Sequence, residues 1–135
     1  MIPLISIYIG GTLTLLIAIL HTRYYKMFNW KTDFEKITIV NAKIIYTIHL
    51  ALLLLFFLIG IISILYAKEL SMSVGLANGL NILFSAFWIW RLIWQFAYFK
   101  KKKRQKRSPI VVFLNTVFLL LIVSYSVPVV YPFLL

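Results

Sequence analysis

The chain contains no cysteine, which excludes disulfides, thiol redox chemistry, iron–sulfur ligation and thiolate metal sites. Acidic residues are almost absent as well: Asp33, Glu35 and Glu69 stand against 14 Lys and Arg, for a formal net charge of +11. No Gly-rich phosphate loop, no His-Glu-x-x-His pair and no serine with a base and an orienting acid can be read in it. A small proton-coupled exporter of cations needs a carboxylate inside its membrane helices, and the apolar stretches of this chain hold neither Asp nor Glu. These absences leave no visible catalytic constellation.

What is present is hydrophobicity. Of 135 residues, 63% are hydrophobic, and the mean hydropathy is +0.98, far above the apolar share of a soluble domain. Apolar stretches cover residues 2–20, 44–66, 74–99 and 109–130. Each is close to the roughly 20 residues that cross a bilayer, and together they take up nearly the whole length. A spanning segment satisfies its backbone groups in hydrocarbon by i to i−4 bonds, so each is expected to be a helix. The expected fold is all-α: one transmembrane domain over residues 1–135, an integral membrane antiparallel four-helix bundle. The first stretch has no basic segment before it and no small-residue cleavage site, so it reads as a retained span rather than a signal peptide.

The basic residues orient the bundle. The connection 23–43 carries Arg23, Lys26, Lys31, Lys36 and Lys43; the connection 100–108 carries Lys100, Lys101, Lys102, Lys103, Arg104, Lys106 and Arg107; the connection 67–73 carries Lys68 alone. Cytoplasmic loops are the ones enriched in Lys and Arg, so the first and third connections are expected in the cytoplasm and both termini outside, as in a bacterial inner membrane. The run 100–107 is expected to attract anionic headgroups at about 1 kcal/mol per basic residue near the surface. It lacks the interleaved aromatics of a nucleic-acid binder, and no nucleic acid is expected as a partner.

Local signals add detail. Thr32 and Glu35 have capping-box spacing, which predicts a helix beginning near Asp33, with Phe34, Ile37 and Val40 against the bilayer surface. Tyr24, Tyr25, Phe28 and Trp30 read as rings anchored at a headgroup boundary. Ser108 can cap a helix that starts at Pro109, and the span 67–73 reads as a turn. Pro128 and Pro132 are expected to disrupt the last turns of the fourth helix.

Polar residues on the spans define candidate inward faces. Ser6, Gly10, Thr14 and Ala18 recur every four residues, a small-residue ridge suited to helix association in lipid. In the third span Asn78, Asn81, Ser85, Trp88, Arg91 and Gln95 fall within an arc of about 140°. His49, Phe56, Gly60 and Ser63 share a face in the second span; Asn115, Ile122 and Ser126 share one in the fourth. Counted from the cytoplasmic ends, His49 and Gln95 lie roughly 8 Å deep, Asn115 roughly 9 Å and Arg91 roughly 14 Å. With His21 at the same end, His21, His49, Arg91, Gln95 and Asn115 form a candidate polar layer; Asn78, Asn81 and Ser85 form a second patch.

The layer admits several chemistries. His21 and His49 on different helices can be axial ligands of a b-type haem, with Arg91 or nearby lysines pairing the propionates. Arg91 with Gln95 can clamp an anion, either a lipid phosphate or a carboxylate substrate in transport. Arg91 can also snorkel toward headgroups among Trp88, Trp90 and Trp94. A quinone is a further lipophilic ligand for the layer. The expected role is a small accessory or scaffold protein that associates with itself or a larger membrane complex, with haem, quinone or lipid binding, or anionic-substrate transport, as alternatives.

Phe28-Asn29-Trp30 after the first span, Asn41 before the second, and Phe87-Trp88 followed by Arg91 and Gln95 in the third resemble small uncharacterised four-helix bacterial membrane proteins over most of the chain. The resemblance implies architecture and no activity, and no functional residue is carried over from it.

Overall fold

The computed structural model describes residues 1–98 and 109–134. The basic run 100–107, the Ser108 cap and the end of the third span at residue 99 lie outside the described residues. Every regular element among the described residues is helical: α1 (Ile2–Met27), α2 (Trp30–Phe34), α3 (Ile39–Leu65), α4 (Ala67–Met72), α5 (Leu76–Tyr98) and α6 (Pro109–Val130), followed by a 3-10 turn, Tyr131–Phe133. The helices α1, α3, α5 and α6 are long and apolar enough to cross a membrane.

Two of these helices outrun the hydropathic stretches that announced them. α1 continues past residue 20 to Met27, and α3 begins at Ile39 rather than 44. Hydropathy marks where lipid is tolerated, whereas helix length depends on backbone bonding and propensity, and neither His21 nor the basic residues beside it break a helix. At 27 residues α3 is about 40 Å long, longer than the roughly 30 Å hydrocarbon core of a bilayer.

The connections differ from the sequence expectation in three places. The Thr32/Glu35 capping box does not form: α2 starts at Trp30 after Asn29 in a left-handed conformation, with no side-chain cap. The cap falls instead on Thr38, whose Oγ1 accepts from Asn41 N at 3.3 Å and opens α3. Ring packing explains the shift, since Tyr25 touches both Trp30 and Phe34 edge-on and holds a helical turn over those residues. The segment expected as a simple turn, 67–73, is the helix α4, built from good helix formers; the chain reverses after it through Ser73 and Gly75, both at positive φ (51° and 56°). Pro128 does not end α6 but lies buried within it, and Pro132 sits in the 3-10 turn, where its missing N–H costs no helical bond.

α1 is the hub. It packs against α3 on one side and α6 on the other, α5 packs against α6, and α4 lies against α1 and α5. The adjacent glycines Gly10 and Gly11 make this possible. A Cβ on Gly10 would stand 3.1 Å from Ser124 Cβ and Tyr125 Cζ of α6, while one on Gly11 would stand 3.0 Å from Ser63 Cβ and 3.2 Å from the Gly60 carbonyl of α3. The ridge Ser6, Gly10, Thr14 and Ala18 is buried throughout, and Gly11 adds a second line of close approach. α3 and α5 have few backbone contacts and meet through the rings of Phe56, Phe87 and Trp88. The core runs from Ile7 through Phe56 and Trp88 to Tyr125.

Candidate functional site

Four of the five residues of the expected polar layer converge at the end of the bundle that carries Arg23, Lys26, Lys31 and Lys43. His21 of α1 and His49 of α3 stack with ring centroids 5.6 Å apart and planes 14° from parallel. Both tautomers follow from their partners, because a carbonyl can only accept. His21 Nδ1–H donates to Ile17 O at 2.9 Å, and His49 Nε2–H donates to His21 O at 3.0 Å. The second bond ties α3 to the backbone of α1.

Aromatic rings enclose the pair. Tyr24 stacks on His21 at 4.3 Å, Phe56 meets His21 edge-on at 5.0 Å, and Trp30 meets His49 edge-on at 4.8 Å. Tyr24 and Trp30, which read as interfacial anchors, are therefore parts of this cluster: α2 folds back under the helices and lays Trp30 on His49. Tyr25 and Phe28 are exposed.

His21 Nδ1 and His49 Nε2 are both engaged with backbone carbonyls, so each ring keeps one bare nitrogen, Nε2 on His21 and Nδ1 on His49, as the group that could meet a ligand.

Arg91 of α5 completes the layer. Its Nη1 donates to Gln95 Oε1 at 2.9 Å, and its Cζ lies 4.9 Å from the centre of the Phe118 ring of α6. It is half-buried and within electrostatic range of His21 and Tyr24. By bonding to the residue one turn ahead, Arg91 turns toward the basic end, against the lean toward the helix N-terminus that helical geometry gives a side chain. Asn115 is not brought into contact with the histidines. It lies one turn from Phe118 on α6, half-buried, and its Oδ1 is shielded with no hydrogen-bond partner among the described residues. The expected face Asn115, Ile122 and Ser126 is a flank of α6, whose buried face is instead Leu114, Phe118, Leu121 and Tyr125.

The second patch divides between two neighbours. Asn81, fully buried, donates from Nδ2 to Leu70 O at 2.7 Å and to Ser73 Oγ at 3.3 Å, while Ser73 donates to Asn78 Oδ1 at 3.0 Å. These bonds lock α4 and its turn to α5. Ser85 instead accepts from Ser126 Oγ of α6 at 3.2 Å.

One polar cluster was not anticipated. Tyr125 of α6 is fully buried and reaches Ser63 Oγ at 2.9 Å and Thr14 Oγ1 at 3.2 Å. Thr14 already donates to Gly10 O at 2.8 Å, so Tyr125 must donate to Thr14 and Ser63 to Tyr125. Three helices are joined by one directed chain of hydroxyls. The available signal was a tyrosine flanked by Ser124 and Ser126, three hydroxyls in a row within an otherwise apolar stretch. Compared with known protein families, curated proteins and solved structures, the chain matches none.

Proposed function

We propose that the chain is a small integral membrane accessory protein, an antiparallel four-helix bundle that associates with copies of itself or with a larger membrane complex through its outward helix faces. The observation that carries this reading is the separation of polar from apolar atoms. Thr14, Ser63 and Tyr125 bond one another, His49 bonds the His21 carbonyl and Asn81 the Leu70 carbonyl, so these inward groups hold helices together, which is how a scaffold uses polar groups. Outward, α3 presents Ile44, Ile48, Leu54, Leu58 and Leu65, all exposed on a helix whose main neighbour is α1.

The distribution of basic residues supports an orientation with the connections 23–43 and 100–107 on the cytoplasmic side of a bacterial inner membrane, and the start of α1, α4 and the end of α6 outside. Because the chain has no native cysteine, single replacements report sidedness without background. An impermeant maleimide should label Ser71→Cys in intact cells and Lys31→Cys only after permeabilisation, and the opposite pattern would refute the orientation. Association is read by native mass spectrometry from mild detergent. An oligomer or a copurifying membrane subunit is expected; a uniform monomer with nothing bound would sink the proposal.

A further inference from the structure

Arg91 lies two turns before the end of α5, about 10 Å along the axis from Tyr98. The acids of the chain, Asp33, Glu35 and Glu69, all lie outside the four long helices, and Asp33 is paired with the exposed Lys36 at 3.2 Å. Among the described residues, the groups in contact with the guanidinium are neutral: an amide oxygen at 2.9 Å and a phenyl face at 4.9 Å. Such neighbours orient a cation without cancelling its charge, and inside a membrane the uncancelled charge is costly.

The bond to Gln95 also fixes what the pair displays. With Oε1 turned to the guanidinium, the Nε2 amino group of Gln95 points the other way, so Arg91 and Gln95 offer N–H donors from adjacent turns of one helix. A planar guanidinium beside an amide N–H suits an oxyanion with two or more charged oxygens. On the exposed side of the same turns, Trp90 and Trp94 stack at 6.0 Å, rings of the kind that settle at the junction of headgroup and acyl chain.

We propose that Arg91 and Gln95 bind the phosphate of an anionic lipid headgroup that enters from the basic end of the bundle, with its acyl chains along Trp90 and Trp94. This rests on the membrane placement proposed above. The Arg91 side chain reaches toward the basic end, where a lipid's phosphate lies at the edge of the apolar layer, and a lipid is held at the exposed helix face by its acyl chains as a soluble phosphate ester is not.

The test is native mass spectrometry of the full chain in mild detergent, with phosphatidylglycerol or phosphatidylcholine added. The wild-type chain should retain phosphatidylglycerol about tenfold better, as a charge-assisted contact implies. Arg91→Gln should cut the preference severalfold, leaving only what the other basic residues contribute, Arg91→Lys should keep more of it, and Gln95→Ala, which leaves the cation in place, should weaken it about threefold. Equal retention of both lipids by the wild type, or an undiminished preference in Arg91→Gln with native helicity, overturns the proposal. Displacement of the lipid by excess inorganic phosphate also overturns it, by assigning the site to a soluble ligand. Carbonate extraction separates this failure from that of the parent reading: release of the wild-type chain from membranes would remove the membrane placement itself.

Discussion

Tyr125 and Ser63 are hydrogen-bonded at 2.9 Å although their helices, α6 and α3, scarcely pack against each other and each lies against α1. The bond closes the bundle across its hub, and Thr14 of α1 accepts a hydrogen bond from the tyrosine hydroxyl in turn. Tyr125→Phe should leave the shape intact and deprive Ser63 and Thr14 of their partner, at a cost of about 0.5–1.5 kcal/mol in unfolding by mixed micelles. A double-mutant cycle with Ser63→Ala should be non-additive. Strict additivity would show that the two hydroxyls do not interact.

The crossing of α1 and α3 depends on two glycines facing one another. A Cβ at Gly60 would fall 2.6 Å from Leu15 Cγ and 3.1 Å from the Gly11 carbonyl. Gly60→Val should destabilise the bundle by about 1–3 kcal/mol through overpacking. Gly79→Ala is the control: an added Cβ there meets nothing within 4 Å, so the change should be neutral or stabilise by up to about 1 kcal/mol through helix propensity. Equal costs at the two positions would contradict the close approach.

Replacing His49 separates ring packing from hydrogen bonding. His49→Phe keeps a ring against His21 and Trp30 but removes the donor to the His21 carbonyl, costing about 0.5–1.5 kcal/mol. His49→Ala also removes the surface on which Trp30 rests and should cost about 2 kcal/mol or more. The Trp30 indole resonance should shift more in the alanine variant. Identical spectra for the two variants would refute the contact.

Asn81→Ala should act locally. It takes the donor from the Leu70 carbonyl and one bond from Ser73, at about 1–2 kcal/mol. Hydrogen exchange should quicken across α4 and residues 73–75 while the middle of α3 keeps its protection. Uniform loss of protection across all helices would argue against this assignment.

Much of the helical layout could be read directly from composition. The four long apolar helices follow from the spacing of hydrophobic runs, and the arc from Asn81 through Ser85 and Trp88 is the buried face of α5 because polar atoms contrast sharply with their apolar neighbours there. In α6 that contrast is missing. Leu114, Phe118, Leu121 and Tyr125 turn inward from a helix that is apolar all round, and the polar marks Asn115 and Ser126 pointed to a flank instead. The capping box failed for a related reason: local spacing cannot weigh Thr32 against the packing of Tyr25 on Trp30 and Phe34, which acts across the turn.

That four long apolar helices form, and over which residues, was legible in the order of residues alone, since backbone bonding and burial from water act along the chain within a few residues. So was the rarity of ionisable residues in such helices, His21, His49 and Arg91 among them. Packing in three dimensions was needed to place α1 at the centre, bring the two imidazoles together on backbone carbonyls, rest Arg91 on Phe118 and join Ser63 to Thr14 through Tyr125. Those outcomes depend on which helix faces meet and at what height, and small residues such as Gly11 and Gly60 set both by how closely they let two backbones approach.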